Sequence, residues 1–298
     1  MTVTPSATAP VQALLAHAID YAGLFPPAGL ELGPALESYL SYRDSPAAWA
    51  LGRFVIPAVR LPECGELLDS LDPARPVSLS VLLGTGTAEE LGAIERFERG
   101  AGSGRAVVAA LEFKAWPEAG IPAMPPALAA RPRYVEVPLD QSLVPALERI
   151  ARTGGLAKVR SGGVTPDAFP DTGAVTRFLA ETARRRLPFK ATAGLHHALR
   201  GSYPLTYAPD SPRAVMYGFL NFLLAGVQAF HRFDPDAIRS LLQAGDSREI
   251  RGEPGALILG DYRFEVEELK RARRWVHGFG SCSFREPMEE LDRLMEPG

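Results

Sequence analysis

GLAKVRSGG (Gly155–Gly163), DTGAVTRFLAETARRR (Asp171–Arg186) and LPFKATAGLHH (Leu187–His197) decide the fold. The first and last are short apolar runs of strand length, and the middle segment reads as a helix. Strand, helix, strand is the pattern of two parallel strands joined by a crossover helix. Working outward, runs of the same kind recur at AIDYAGLFPP (Ala18–Pro27), RFVIPAVRL (Arg53–Leu61), PVSLSVLLG (Pro76–Gly84), RAVVAALEFKA (Arg105–Ala115), RYVEVPLD (Arg133–Asp140) and WVHGFGSCSF (Trp275–Phe284). Most are separated by helical patterns. TAEELGAIERFERG, for example, reads as an amphipathic helix with Thr87 as its cap. Eight such strands predict an α/β fold, a single (β/α)8 barrel of the TIM type. An open doubly wound sheet is the alternative, but strand count and chain length favour closure.

Residues 198–274 hold too much for one crossover. They contain the loop RGSYPLTYAPDSP, an apolar helix at Val215–Phe230, a second helix near Asp236–Gln243 and a hairpin across GALILGDYRF. We read them as a helical and hairpin insertion between the seventh and eighth strands, within one domain over 13–298. The lead, residues 1–12, has neither the basic start nor the apolar centre of a signal peptide and reads as disordered. The apolar helix carries Asn221 and Gln228 and falls short of the ~20 residues that cross a bilayer. It reads as covering the barrel's flank or as a subunit interface in a homo-oligomer.

With 46% hydrophobic and 22% charged residues, the chain has the balance of a soluble globular protein with a sizeable core. A net charge of −3 gives no global reason to expect nucleic acid or an anionic membrane as partner. Cys64 and Cys282 are the only cysteines and lack paired spacing, which predicts free thiols in a reducing cytoplasm. No glycine-rich dinucleotide fingerprint or phosphate loop follows a strand.

The chemistry is suggested by lysine usage. Of 32 Lys+Arg residues, only Lys114, Lys158, Lys190 and Lys270 are lysines, and the first three of these end apolar runs. A buried amine can lose its proton and act as a nucleophile, whereas a guanidinium effectively cannot. In a parallel barrel the strand C-termini point into the mouth where sites are built. Side chains alternate, so Lys158 shares a face with Arg160, Lys190 with Thr192 and Glu112 with Lys114. Inward charges in a normally apolar barrel are costly unless they pair or take part in chemistry. Lys158, Lys190, Glu112 and Glu136 are therefore the candidate catalytic residues. Arg160 and Lys190 would supply the positive neighbourhood that lowers the Lys158 pKa. Candidate substrate-binding residues are Arg160, Thr192, His196, Ser281 and Ser283. Ser161, Gly162 and Gly163 join them, as backbone N–H groups for an anion at a helix start or as a plain strand-to-helix turn.

Lys158 in KVRSGG followed, one βα unit later, by Lys190 in KATAG resembles class I aldolases of the deoxyribose-phosphate aldolase type. The resemblance covers residues 105–197. It implies an eight-stranded barrel with a Schiff-base lysine near the end of the sixth strand, here Lys158, and a second lysine on the seventh, here Lys190. It also implies an acidic residue that assists proton transfer, for which Glu112 is the nearest match. Arg160 and Gly162-Gly163 stand where that family has a different Thr/Gly-rich pattern, and His196-His197 and the insertion have no counterpart.

The expected activity is thus a lyase or aldolase reaction on a small anionic carbonyl compound, with no cofactor. One alternative is a metal-dependent hydrolase or isomerase, with His196 or His197 joined by Glu112, Glu136, His277 or Cys282 around one divalent ion such as zinc. No metal-binding motif spacing supports it. The other is a non-catalytic small-molecule binder in which the lysines are cationic anchors.

Overall fold

The computed structural model describes residues 5–84, 86–115 and 124–295. Seven parallel strands come first: β1 (Ile19–Tyr21), β2 (Leu51–Pro57), β3 (Val77–Leu83), β4 (Ala106–Phe113), β5 (Arg133–Glu136), β6 (Leu156–Arg160) and β7 (Phe189–Thr192). Helix α1 (Pro5–Leu15) precedes β1. Helices α2 (Leu32–Arg43), α3 (Leu61–Leu71), α4 (Ala88–Arg99), α5 (Pro126–Ala129), α6 (Leu143–Arg152) and α7 (Thr172–Arg184) follow β1 to β6 in turn. Their starts are set locally. Thr87 and Glu90 form a reciprocal capping box on α4, and Asp171 accepts from the Ala174 backbone at the start of α7.

The insertion follows β7. It opens with the antiparallel pair β8 (Gly201–Pro204) and β9 (Arg213–Met216). Helices α8 (Phe219–Arg232) and α9 (Pro235–Gln243) come next. Strands β10 (Ile250–Glu253), β11 (Ala256–Leu259) and β12 (Tyr262–Glu265) form an antiparallel sheet, and α10 (Val266–Ala272) closes the insertion. The last barrel strand is β13 (Val276–Ser281), followed by α11 (Arg285–Met295). The order β1-β13-β7-β6-β5-β4-β3-β2, with β1 also paired to β2, closes the barrel.

Helix α8 is buried along nearly its whole length. Phe222 packs on Phe189 of β7, and Phe219 stacks on Phe279 of β13. Its one asparagine acts as a bolt. Asn221 Nδ2 donates to the carbonyls of Leu241 and Ala244, and its Oδ1 accepts from the Arg200 backbone. A buried amide with all these partners satisfied is no liability in an apolar setting. The helix therefore covers the barrel's flank within the chain. Among the described residues, no helix is long and apolar enough to cross a membrane.

One expectation is corrected. Of residues 1–12, read as a disordered lead, 1–4 lie outside the described residues and 5–12 belong to α1. Val11, Leu14 and Leu15 of that helix are buried, and tertiary burial of this apolar edge overrides the helix-breaking look of Pro5 and Pro10.

Candidate active site

The inside of this barrel is polar. Every barrel strand sends at least one polar or charged side chain into a single connected network: Asp20 (β1), Arg53 (β2), Ser80 (β3), Glu112 (β4), Tyr134 and Glu136 (β5), Lys158 (β6), Lys190 (β7) and His277 (β13). Strand register builds it. Glu136 lies beside Lys158, and Lys158 beside Lys190, on successive strands, so their side chains leave the same face at the same height.

Glu112 is the centre. Its Oε1 accepts from Lys190 Nζ at 2.7 Å and from the Ser80 hydroxyl at 2.7 Å, and its Oε2 accepts from Lys158 Nζ at 3.1 Å. Lys190 also donates to Asp20 Oδ2 at 2.5 Å, and its ammonium lies 5.4 Å from the centre of the Tyr134 ring. Asp20 in turn accepts from the Arg53 backbone N–H at 2.7 Å. Both lysines are almost wholly enclosed, at 3% and 2% exposure. Burial by itself would raise the Glu112 pKa, but the ammonium groups of Lys190 and then Lys158 outweigh it and hold Glu112 well below the usual carboxylate range. Burial would likewise lower the Lys190 pKa, yet Asp20 and Glu112 hold it above that of an ordinary lysine. Lys190 is a fixed cation and Glu112 a fixed anion.

Toward the mouth, Lys158 Nζ lies 3.3 Å from Glu136 Oε2. That oxygen is buried and has no aligned hydrogen-bond partner, whereas Glu136 Oε1 accepts from Arg160 Nε at 3.0 Å. Arg160 therefore faces Glu136 and not the Lys158 amine, and about half of its side chain, 52%, is open to solvent at the rim. Asp20, Glu112 and Glu136 face Arg53, Lys158, Arg160 and Lys190, which leaves the column with one positive charge in excess.

The remaining expected residues divide between rim and scaffold. Thr192 ends β7 half-buried at the rim, beside Gly280. The Ser161 hydroxyl donates to the carbonyls of Thr192 and Ala193, which ties the β6 and β7 loops together. Gly162 is a close-approach residue: a Cβ there would come within 2.4 Å of the Phe169 ring and 2.9 Å of Gly194 Cα. A Cβ on Gly163 would meet Ala168 Cβ at 2.7 Å. Of the two readings of Ser161-Gly162-Gly163, the geometry favours the plain connection, because α7 begins only at Thr172, beyond a short turn at Pro166–Ala168.

His196 Nδ1 is shared by the Ser281 hydroxyl at 3.3 Å and Cys282 Sγ at 3.6 Å. Burial, and then His197, push the His196 pKa down to about 4, so the ring is neutral near pH 7. Ser281 is buried in that contact, and the Ser283 hydroxyl accepts from the Glu286 backbone in the first turn of α11. These three residues brace the rim from behind. His197 stacks on Tyr203 and pairs with Glu290 at 3.5 Å. Burial raises the Cys282 thiol to about 11, which leaves it protonated near pH 7. Tyr207, at the tip of the β8–β9 hairpin, reaches Cys282 and places that hairpin over the end of β13. Lys114 lies just past β4 and is exposed.

Sequence reasoning placed Asp20 near the mouth without a catalytic or binding role, and gave none to Arg53, Ser80 or Tyr134. The available signal was parity: Asp20 and Ser80 alternate with apolar neighbours inside a strand, and Tyr134 shares the face of Glu136. His277, weighed as a metal ligand, bonds Tyr134 Oη at 2.7 Å, and burial pushes its pKa down to about 4. Among the described residues, no three His, Cys, Asp or Glu side chains converge as a metal-ligand group. No protein-family model, curated protein or solved structure matches the chain.

Proposed function

We propose that the barrel is a lyase that breaks or forms a carbon–carbon bond in a small anionic carbonyl compound through an imine on Lys158. The observation that carries this reading is the sharing of Glu112 by two enclosed amines, at 2.7 Å and 3.1 Å, with the Lys158 amine also beside the unpartnered oxygen of Glu136. Lys190 is kept charged by Asp20 and Glu112. Lys158 also pairs with Glu136, the carboxylate that continues to the half-exposed Arg160 at the rim, and is the amine left to react.

The roles follow from the charge states. Glu112, held ionised, is a poor proton acceptor and serves to position both amines. Glu136 Oε2 is the carboxylate that takes the Lys158 proton. The neutral amine then adds to the substrate carbonyl carbon, a C–N bond forms, and the carbonyl oxygen leaves as water after protonation. The resulting iminium accepts the electron pair of the breaking Cα–Cβ bond while a carboxylate removes the proton of the β-hydroxyl group. The second product departs as a new carbonyl. Protonation of the enamine carbon and hydrolysis by water return Lys158 and release the first product. The exposed guanidinium of Arg160 and the surplus positive charge suit a substrate with a carboxylate or phosphate.

One observation favours a different reading. Lys158 is ion-paired to two carboxylates, as a purely electrostatic anchor would be. The barrel would then bind an anion without turnover. Borohydride reduction in the presence of short 2-keto acids and phosphorylated aldehydes or ketones separates the two. Imine chemistry gives a mass adduct on Lys158 that is lost in both Lys158→Ala and Lys158→Arg. Binding of those compounds without any adduct, retained in Lys158→Arg, overturns it in favour of the anchor.

A further inference from the structure

The N-terminal end of the barrel, opposite the mouth, holds a second cationic chamber. A cavity of about 380 Å³ opens between α2 and the first residues of β2 and β3. Its wall includes Arg43, Arg53, Arg75, His17 and Ser78, and among the described residues no carboxylate lines it. This end of a barrel is normally closed by packing and contributes stability only. Here three arginines line one open space.

Their existing partners leave donors over. Arg43 Nη1 donates to the carbonyls of Arg75 and Pro76, while its Nε is buried without a partner. Arg75 is two-thirds exposed and, among the described residues, pairs with Asp44 alone, at 3.6 Å on the outer surface. The Arg53 guanidinium lies 3.7 Å from Asp20, whose other contacts already engage Lys190 and the Arg53 backbone. Bringing three like charges to one cavity is unfavourable unless something anionic answers them. Forked N–H donors with capacity to spare match the oxygens of phosphate best.

We infer that this cavity binds a small phosphorylated anion through Arg43, Arg53 and Arg75. It is separate from the Lys158 chemistry and stands whether or not that chemistry occurs. The volume exceeds what one phosphate fills and suits a compact ligand carrying two phosphates or one phosphate and a small body. Arg53 belongs to both ends, since its side chain lines the cavity and its backbone holds Asp20.

The test is calorimetric titration of the full chain with pyrophosphate and with inorganic phosphate at constant ionic strength. Pyrophosphate binds more tightly than phosphate. Arg75→Gln and Arg43→Gln each weaken pyrophosphate binding by about tenfold, the loss of one charge-assisted contact. Arg160→Gln at the mouth leaves it unchanged. Arg75 is exposed, so its variant keeps the fold, and an unchanged melting temperature verifies this. No heat with pyrophosphate at millimolar concentration overturns the inference. So does binding that survives in both Arg43→Gln and Arg75→Gln, or that is lost in Arg160→Gln, which would move the anion to the mouth.

Discussion

Lys190→Met removes the ammonium that joins β7 to both β1 and β4. In the native protein Lys190 Nζ holds Asp20 at 2.5 Å and Glu112 at 2.7 Å in an enclosed site. Methionine fills similar space but leaves two buried carboxylates short of a partner. Removing one member of a buried pair costs about 3–5 kcal/mol. At roughly 2 °C per kcal/mol for a chain of this size, the melting temperature falls by about 6–10 °C at pH 7. The loss depends on pH in a defined direction. In the native protein Glu112 has a depressed pKa, so its contribution is full above the unfolded-state value of about 4.3 and is lost only as pH falls through the lower folded value. Without Lys190, burial opposes ionisation of Glu112 and its folded pKa rises, so the variant loses stability as pH increases from 4 to 7. The gap between native and variant therefore widens with rising pH. Urea unfolding at pH 5 and pH 7 measures it. A variant within 2 °C of native at pH 7, or a gap that narrows toward neutral pH, refutes the claim that this charge network holds the barrel together.

Other outcomes follow from the same geometry. Stability is full above about pH 6.5 and declines as pH falls toward 4, because His196 and His277 are buried neutral with pKa values near 4. His196→Gln removes part of that decline in a pH series of thermal melts, and an unaltered series counts against it. Arg160→Gln changes the melting temperature little, since a half-exposed pair contributes at most about 1 kcal/mol, but it raises KM for the anionic substrate that borohydride trapping identifies. An unchanged KM removes Arg160 from substrate binding. Gly162→Val forces a Cβ into the Phe169 ring and destabilises by about 1–3 kcal/mol, measured by urea unfolding. Native-like stability would show that the β6 and β7 loops are looser than their contacts indicate.

The barrel was legible because strand-length apolar runs alternate with helical ones, and each of the eight runs contains a strand. The apolar segment near Val215–Phe230 is helical from Phe219, while Arg213–Met216 pairs as β9. Strand β10, IRGE, escaped notice because it is charged and is held by its neighbour β11 instead of by its own apolar pattern. At the site, Lys158, Lys190, Glu112 and Glu136 were visible as charges on apolar strands. What parity could not show was pairing. Whether Arg160 faces Lys158 or Glu136 depends on side-chain rotation at the rim, and whether Ser161 faces a ligand or the Ala193 carbonyl depends on how two loops meet. Contacts between residues far apart in the chain, such as Lys190 with Asp20, leave no local trace.

The charges of the interior are unevenly divided along the polypeptide. Before Phe113 the interior groups are two carboxylates and one guanidinium, Asp20, Glu112 and Arg53; from Arg133 onward they are two amines and one carboxylate, Lys158, Lys190 and Glu136, with the Arg160 guanidinium at the rim. A chain severed between these halves would yield one fragment with an acidic lining and one with a basic lining. Neither can close on a copy of itself without burying like charges. The two halves are therefore matched in charge to each other and mismatched to a duplicate, which disfavours pairing of like halves.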